Sequence, residues 1–322
     1  MKEILLSGIK PTGKLHIGNY FGAMKQFVEH QHDFDAYIFV ANYHALNAVS
    51  NREVLRRDTL DVVIDYLAVG LNPEKVTLYV QSDVPEVTEL TVVFDTLITM
   101  PYLSRAHAFK DAEAKKKEIN VGTFNYPVLM AADILMMDAK IVPVGQDQKQ
   151  HVEYARDIAE KFNFTFGETF ILPKEKILEH VAVVPGLDGQ KMSKSYGNTI
   201  PLFAEKEEIK KLVMTIPTDS KSVENKKNPE EDKVFALHKL FATKEELAQI
   251  EKRYKEGGLG YKESKELLAE SIDRFIAPLR AKRNEIAADE DKVIAILKKG
   301  GEKARARAQA KMKIVRDKVG IF

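Results

Sequence analysis

The sequence predicts an α/β protein: a doubly wound parallel sheet followed by a helical C-terminal domain. Three observations carry this expectation. Short apolar runs alternate with amphipathic segments through the first half, which argues for a parallel sheet covered by helices on both faces. A glycine-rich turn, Gly8 to Gly13, follows the first apolar run and leads into a helical pattern. After about Ser195 the chain becomes highly charged and helix-forming, with Pro, Asn and Gly in the connecting loops.

The elements follow in order. "MKEILLSGIK" is too short and too quickly polar for a signal peptide, and Ile4 to Leu6 reads as a first strand. A helix begins near Tyr20, with Tyr20, Met24, Phe27 and Val28 at i, i+4, i+7 and i+8. "AYIFVAN" (36–42), "VTLYVQSD" (76–83) and "KIVPVGQD" (140–147) have strand character, the last running into a turn. Residues 53–69 are helical, with Leu60, Val63, Ile64 and Leu67 on one stripe, Gly70 as the stop and Pro73 beyond it. Tyr126, Met130, Asp133 and Met137 share one helical face, apolar except for Asp133. Along the next helix His151, Ala155, Ile158, Ala159 and Phe162 form a buried stripe, so His151 is a core residue rather than a metal ligand. The resulting organisation is a first domain over 1–199, a helical domain over 200–297 and a basic, helical tail over 298–322. In that tail nine Lys and Arg residues meet only Glu302 and Asp317. A solvated helix with Ala304, Ala306, Ala308 and Ala310 as helix formers, or contact with a polyanion, are both open readings.

Composition narrows the class. A chain of 322 residues with 44% hydrophobic and 30% charged residues is an ordinary soluble globular protein of one large or two moderate domains. No apolar run approaches the roughly 18 to 20 residues that span a bilayer, so no membrane partner is expected. The absence of cysteine excludes disulfides, thiolate zinc sites and cysteine-held iron–sulfur clusters. It fits a cytoplasmic location. The net charge of +1 points to no partner.

Two stretches carry chemistry. "GIKPTGK" (8–14) spells most of a P-loop, but the position after Lys14 is Leu15, where a Mg²⁺-binding hydroxyl belongs. Pro11 also removes a backbone N–H from a loop meant to offer such groups. What remains is a strand-to-helix turn, the usual place for an anion in an open α/β sheet, with His16-Ile17-Gly18-Asn19 at its mouth. In "VVPGLDGQKMSKSYGN" (183–198), Pro185, Gly186 and Gly189 make a flexible turn before Lys191, Ser193, Lys194 and Ser195. Two ammonium groups and two hydroxyls on a mobile loop can close over a polyphosphate. An isolated K-x-x-K would be an ordinary surface loop; this run lies well downstream of an HIGN turn.

These residues carry a resemblance. His16 to Asn19 is similar to the HIGH signature of class I aminoacyl-tRNA synthetases, and Lys191 to Ser195 matches their KMSKS signature in full. "YPVLMAADILMMDAKIVPVGQDQKQHVEYARDIAEKFN" (126–163) closely resembles tryptophanyl-tRNA synthetases, supported by "PTDS" (217–220) and "GLGYKESKELLAESIDRFIAPLR" (258–280). The resemblance runs from the first strand to near the C-terminus. It implies a Rossmann-like catalytic domain and an enzyme that activates L-tryptophan with ATP and transfers it to tRNA(Trp), releasing AMP and pyrophosphate. It also implies a helical domain that reads the anticodon and a homodimer. ATP would enter with Mg²⁺ as a substrate complex, with no protein-bound metal. Tyrosyl enzymes share the architecture and are the nearest confusable relatives. A non-translational adenylate-forming or nucleotide-binding regulator is the other reading. A small cytidylyltransferase also uses an HIGH-type turn but would not need the long helical second half.

Carried over position by position, the resemblance implies His16, Lys191 and Lys194 as catalytic residues. It implies an ATP site of Lys10, Pro11, Thr12, Gly18, Asn19, Gly145, Gln146, Asp147, Val183, Met192, Ser193 and Ser195 beside the two lysines. Lys110 is a further candidate for ATP, whereas Lys115 to Lys117 read as solvated. The tryptophan site would hold Leu6, His44, Tyr126, Met130, Asp133, Ile134, Val142, Val144 and Gln148. A carboxylate on an apolar face needs donors; an indole N–H, which can only donate, suits it, but spacing alone favours a core aspartate bonded to backbone or Arg, and it is the resemblance that assigns Asp133 to the indole nitrogen. Asp147 reads locally as a helix N-cap. Two positions depart from the family pattern: Lys10 stands where Gln is usual, and His16 where Thr is common.

Overall fold

The computed structural model describes residues 2–114, 118–145, 148–177 and 184–321. Its sheet has five strands: β1 Ile4–Ile9, β2 Asp35–Val40, β3 Thr77–Val80, β4 Ile141–Val144 and β5 Lys174–Ile177. Their order is β3-β2-β1-β4-β5 and every pairing is parallel. This is the predicted class I, Rossmann-like architecture. The order reverses between β1 and β4, and the carboxyl ends of strands at such a reversal are where open α/β sheets bind ligands. Leaving β1 there is the glycine-rich turn; leaving β4 is Gly145.

Four strands stand where the apolar runs place them. β1 continues to Ile9, three residues past the expected end, in register with β2 from Ile4↔Asp35 to Ile9↔Val40. β3 is shorter than expected because Gln81–Asp83 leave the ladder as a 3₁₀ turn. The expected helix near Tyr20 starts earlier, at Ile17–Asn19, passes through a π-helical turn at Tyr20–Met24 and continues as Lys25–His30. Such π-turns are frequent at functional sites.

The chain forms two compact units: Met1–Gly13, Phe27–Glu179 and Asp289–Phe322 in the first, Lys14–Gln26 and His180–Ala288 in the second. These bounds differ from the expected 199/200 and 297/298 divisions, for two reasons. The HIGN and KMSKS stretches join the second unit's core, where Ile17, Val184, Met192 and Ile200 pack with Ile209, Val213, Leu268 and Ile272. And the expected tail is not separate. It is the continuation of one helix, Glu290–Val319, in the first unit.

That helix lies on β3 so closely that a Cβ at Gly300 would sit 1.9 Å from the Leu78 carbonyl oxygen. Ala304, Ala308, Met312 and Val315 are fully buried in the first unit's core. Lys299, Lys303 and Arg305 face Glu74, Asp35 and Glu86, while Arg307 and Lys311 share Asp138 and Arg316 holds Glu89. Much of the basic stretch is therefore engaged with carboxylates of its own unit.

The second unit is helical: Lys206–Met214, Lys233–Phe241, Lys244–Glu256 and Tyr261–Ala287. Among the described residues no helix is long and apolar enough to cross a membrane, and no group of three or more His, Cys, Asp or Glu is arranged to hold a metal ion.

Candidate active site

In the first unit the helix Val121–Met136 carries Asp133 into the core, 3% exposed. Its carboxylate is held by two side chains. Gln81 Nε2 donates to Oδ1 and Oδ2, each at 2.9 Å. His44 Nε2 lies 3.0 Å from Oδ2; because a carboxylate only accepts, the proton sits on Nε2. Gln81 is in turn fixed through its carbonyl, which accepts from the Tyr43 N–H at 3.0 Å and the His44 N–H at 3.4 Å. The 3₁₀ turn after β3 and the short helix Asn42–Ala45 after β2 thus meet on one carboxylate.

The core of this unit is apolar. Leu6, Val142, Val144 and Ile134 are buried, and Met130 packs against the same core. Tyr126 is half-buried, its ring edge-on to His44 at 6.3 Å and its hydroxyl 2.8 Å from His151 Nε2. Burial pushes the Tyr126 phenol up to about 12, so it stays protonated at neutral pH. Lys10 Nζ lies 5.3 Å from the Tyr126 ring centre, within the range of a cation–π contact. The family departure at this position therefore places a cation beside the aromatic wall. Pro11 is buried, and Thr12 N–H closes the turn onto the Lys10 carbonyl at 3.0 Å. Gly145 is exposed and its carbonyl accepts from Gln148 N–H at 2.9 Å. Gln148 is the N-cap of the helix Lys149–Phe166, and it makes no side-chain cap bond. The His151 stripe is buried as expected.

In the second unit His16 is buried at the start of the helical run, and Asn19 Oδ1 turns back to accept the His16 backbone N–H at 3.0 Å. Ile17 N–H donates to the Ile200 carbonyl at 3.0 Å and Leu202 N–H to that of Leu15 at 2.9 Å, which fixes the histidine's backbone on both sides. A Cβ at Gly18 would lie 2.8 Å from His16 Nδ1 and 3.4 Å from Met192 Cβ. Glycine lets the imidazole pack this close, while the methionine would be in ordinary contact. Burial, and then the Lys194 ammonium, depress the His16 imidazole to about 4. It is neutral at physiological pH and can present an N–H without a full charge.

The KMSKS loop is a hairpin-like turn with Met192 as its buried anchor: Met192 N–H donates to the Val184 carbonyl at 2.8 Å, and Gly186 N–H to that of Gln190 at 2.7 Å. Asn198 ties it together. Its Oδ1 accepts Ser193 N–H at 2.8 Å, while its Nδ2 donates to Asp188 at 2.7 Å and to the Lys191 carbonyl at 3.2 Å. A Cβ at Gly186 would fall 2.3 Å from Asn198 Nδ2, so that glycine is needed for the close approach. Lys191, Lys194 and Ser195 are exposed.

Comparison with known proteins now has geometry to stand on. A family profile described as "tRNA synthetases class I (W and Y)" matches residues 2–277. The chain is 49% identical to the tryptophan–tRNA ligase of Rhodopirellula baltica over 98% of its length and 99% of that protein's. It is 47% identical to the corresponding ligase of Fusobacterium nucleatum, covering 98% and 97%. The crystal structure of tryptophanyl-tRNA synthetase from Campylobacter jejuni, complexed with ADP and tryptophan, superposes with a TM-score of 0.94 at 44% identity, covering 99% of this chain and all of that one.

The chain belongs to the tryptophan–tRNA ligase family of class I tRNA synthetases.

For a member of the tryptophan–tRNA ligase family, the site residues read from the sequence fall into the two groups just described. Gln146, Asp147 and Val183 lie outside the described residues, as do Lys115 to Lys117. Lys110 is exposed on the helix His107–Ala114. Sequence reasoning missed Gln81, which holds Asp133, and Asn198, which holds the KMSKS loop. Each is a polar residue at the end of a recognised run, and a buried, fully bonded amide is visible only in the fold.

Proposed function

We propose that the protein is a tryptophan–tRNA ligase: it activates L-tryptophan with ATP to tryptophanyl-adenylate, releases pyrophosphate, and transfers the amino acid to the 3′ end of tRNA(Trp). The observation that carries the choice of substrate is the Asp133 carboxylate, buried in a largely apolar core and held by Gln81 and His44. An ionised carboxylate has about four lone-pair positions, so its contacts with Gln81 and His44 leave room for one more donor. The indole N–H is such a donor. Leu6, Met130, Ile134, Val142 and Val144 supply the apolar contact for the ring, and Gln148 faces the amino-acid ammonium.

The tryptophan carboxylate attacks the ATP α-phosphate in line. No protein nucleophile or general base is required. His16, the Gly18–Asn19 helix start, Lys191 and Lys194 stabilise charge on the phosphates, and Lys10, Pro11, Thr12, Gly145 and the serines of the KMSKS loop orient the nucleotide. MgATP is the substrate. The neutral state of His16 suits it to a hydrogen-bonding role beside cationic Lys194.

The helices of the second unit, over 200–288, read the anticodon, the enzyme works in the cytoplasm, and it is a homodimer. The exposed apolar residues Val92, Met100 and Val121 supply surface of the kind a second copy would cover.

ATP–pyrophosphate exchange run with tryptophan and tyrosine side by side, followed by charging of purified tRNA, tests this reading. Exchange dependent on tryptophan, with stable charging, supports it. Preference for tyrosine makes the protein a tyrosyl enzyme, and exchange without charging makes it a non-translational adenylate-forming protein.

A further inference from the structure

Asp58 has no part in the site as read so far. It lies on the helix Arg52–Ala68 and is 5% exposed. A buried carboxylate is costly unless its oxygens are bonded. Asp58 Oδ2 accepts the backbone N–H of Gly13 at 2.8 Å, across 45 residues of sequence. Oδ1 takes Arg57 Nε at 3.1 Å and Nη2 at 2.6 Å. Gly13 is the last residue of the turn that leaves β1, and its φ is +79°. A Cβ there would meet nothing within 4 Å, so glycine is required by backbone conformation and not by space. At its start the turn is closed by the Thr12 N–H on the Lys10 carbonyl. At its end the carboxylate of Asp58 holds the peptide in this left-handed conformation.

We propose that Asp58 is a positioning residue for the nucleotide: by holding the Gly13 N–H it fixes the Lys10–Gly13 turn in the conformation that receives ATP. The inference rests on the reading of that turn as part of the ATP site. Preorganisation matters here because a turn that must be ordered at the moment of binding loses part of the binding free energy to ordering. Arg57 offsets the aspartate's charge, so the turn is anchored without being made repulsive to phosphate.

The test uses the full-length protein and three variants: Asp58→Ala, Asp58→Asn and Arg57→Ala. The chain contains no tryptophan, so binding of the amino acid is followed by the ligand's own fluorescence, which reports folding of the pocket independently of ATP. Asp58→Ala should raise the KM for ATP in pyrophosphate exchange by about tenfold or more, the scale of one lost charge-assisted hydrogen bond, and leave tryptophan affinity within about twofold. Asp58→Asn keeps a carbonyl acceptor and should stay within about threefold of wild type, as should Arg57→Ala. An unchanged KM for ATP in Asp58→Ala overturns the inference. So does a parallel loss of tryptophan binding, which would mark a merely structural role, or an Arg57→Ala variant as impaired as Asp58→Ala. If wild type itself shows no tryptophan-dependent exchange, the functional reading fails and this inference falls with it; normal wild-type exchange with an indifferent Asp58→Ala sinks this inference alone.

Discussion

The side-chain amide of Gln81 donates to both carboxylate oxygens of Asp133, at 2.9 Å each, while its carbonyl accepts the Tyr43 N–H at 3.0 Å. One amide therefore sets both the orientation of the carboxylate and the backbone that carries His44. Gln81→Glu replaces the donor with a second carboxylate and leaves the buried Asp133 facing like charge. Tryptophan affinity, read by ligand fluorescence, should fall by about 10- to 100-fold, on the scale of a lost hydrogen bond to a charged group, with the KM for ATP unchanged. Affinity within about twofold of wild type would show that Asp133 is held by other means.

Lys194 is exposed on the KMSKS loop and close enough to depress the His16 imidazole. If it acts on charge that develops during adenylate formation, Lys194→Ala should slow single-turnover adenylate formation by about 10²- to 10³-fold, or roughly 3 to 4 kcal/mol. Tryptophan affinity should be unaffected. A rate within about threefold of wild type would remove Lys194 from the catalytic set.

Gly300 makes an opposite-sign prediction about stability. In the interior of an exposed helix, Gly→Ala is stabilising by about 1 kcal/mol. Here the new Cβ would meet the Leu78 carbonyl oxygen at 1.9 Å, a backbone atom of β3 that cannot step aside. Gly300→Ala should therefore destabilise by about 2 kcal/mol or more, through overpacking, seen as a lower urea midpoint. A neutral or stabilised variant would mean that the C-terminal helix does not seat on the sheet as described.

His238 is fully buried, its Nε2 donating to the Ser264 carbonyl at 3.0 Å, and burial depresses it to about 4. Unfolded, it titrates at about 6.5. Between these values the unfolded chain binds a proton that the folded chain does not, so stability is complete above about pH 6.5 and is lost progressively as pH falls toward 4. The contribution is on the order of 3 kcal/mol over the whole interval. His16, depressed to about 4 by burial and Lys194, acts in the same direction. Urea titrations at pH 7 and pH 5 should show the decline, and His238→Gln should flatten it. An identical pH slope in the variant would contradict the assignment.

Much of the fold could be read from the sequence, and particular residues show where that stops. β1, β2 and β4 are short apolar runs inside the sheet, and β3, though an edge strand, is fully buried under the C-terminal helix, so hydrophobicity marks all four. β5 was not anticipated: "KEKI" pairs with β4 on one side only, and charged side chains are tolerated on an edge strand. The HIGN and KMSKS stretches stand out in residue type and spacing, and the resemblance supplies the roles expected of His16, Lys191 and Lys194. Gln81 was not legible, because its role exists only where the turn after β3 meets the helix bearing Asp133. The expected boundary at 297/298 falls inside a continuous helix. Gly300 and Gly301, which punctuate a sequence, serve there to let the helix backbone approach β3 and Asp83.

The central claim is that Asp133 reads the indole N–H of tryptophan. Asn offers a carbonyl acceptor of similar size, so Asp133→Asn should lose less discrimination than Asp133→Ala, which leaves the buried N–H without a partner at a cost of about 1 to 3 kcal/mol. The most direct measurement compares kcat/KM in pyrophosphate exchange for tryptophan and for an analogue whose indole nitrogen is replaced by carbon or sulfur. Sites built to hydrogen-bond a substrate group reject analogues lacking it, whereas apolar pockets discriminate weakly. Wild type should activate the analogue poorly, and Asp133→Ala should narrow the gap between the two substrates. The same ratio in both proteins would contradict the account and leave Asp133 an ordinary core aspartate, held by Gln81 and His44 for the sake of the fold.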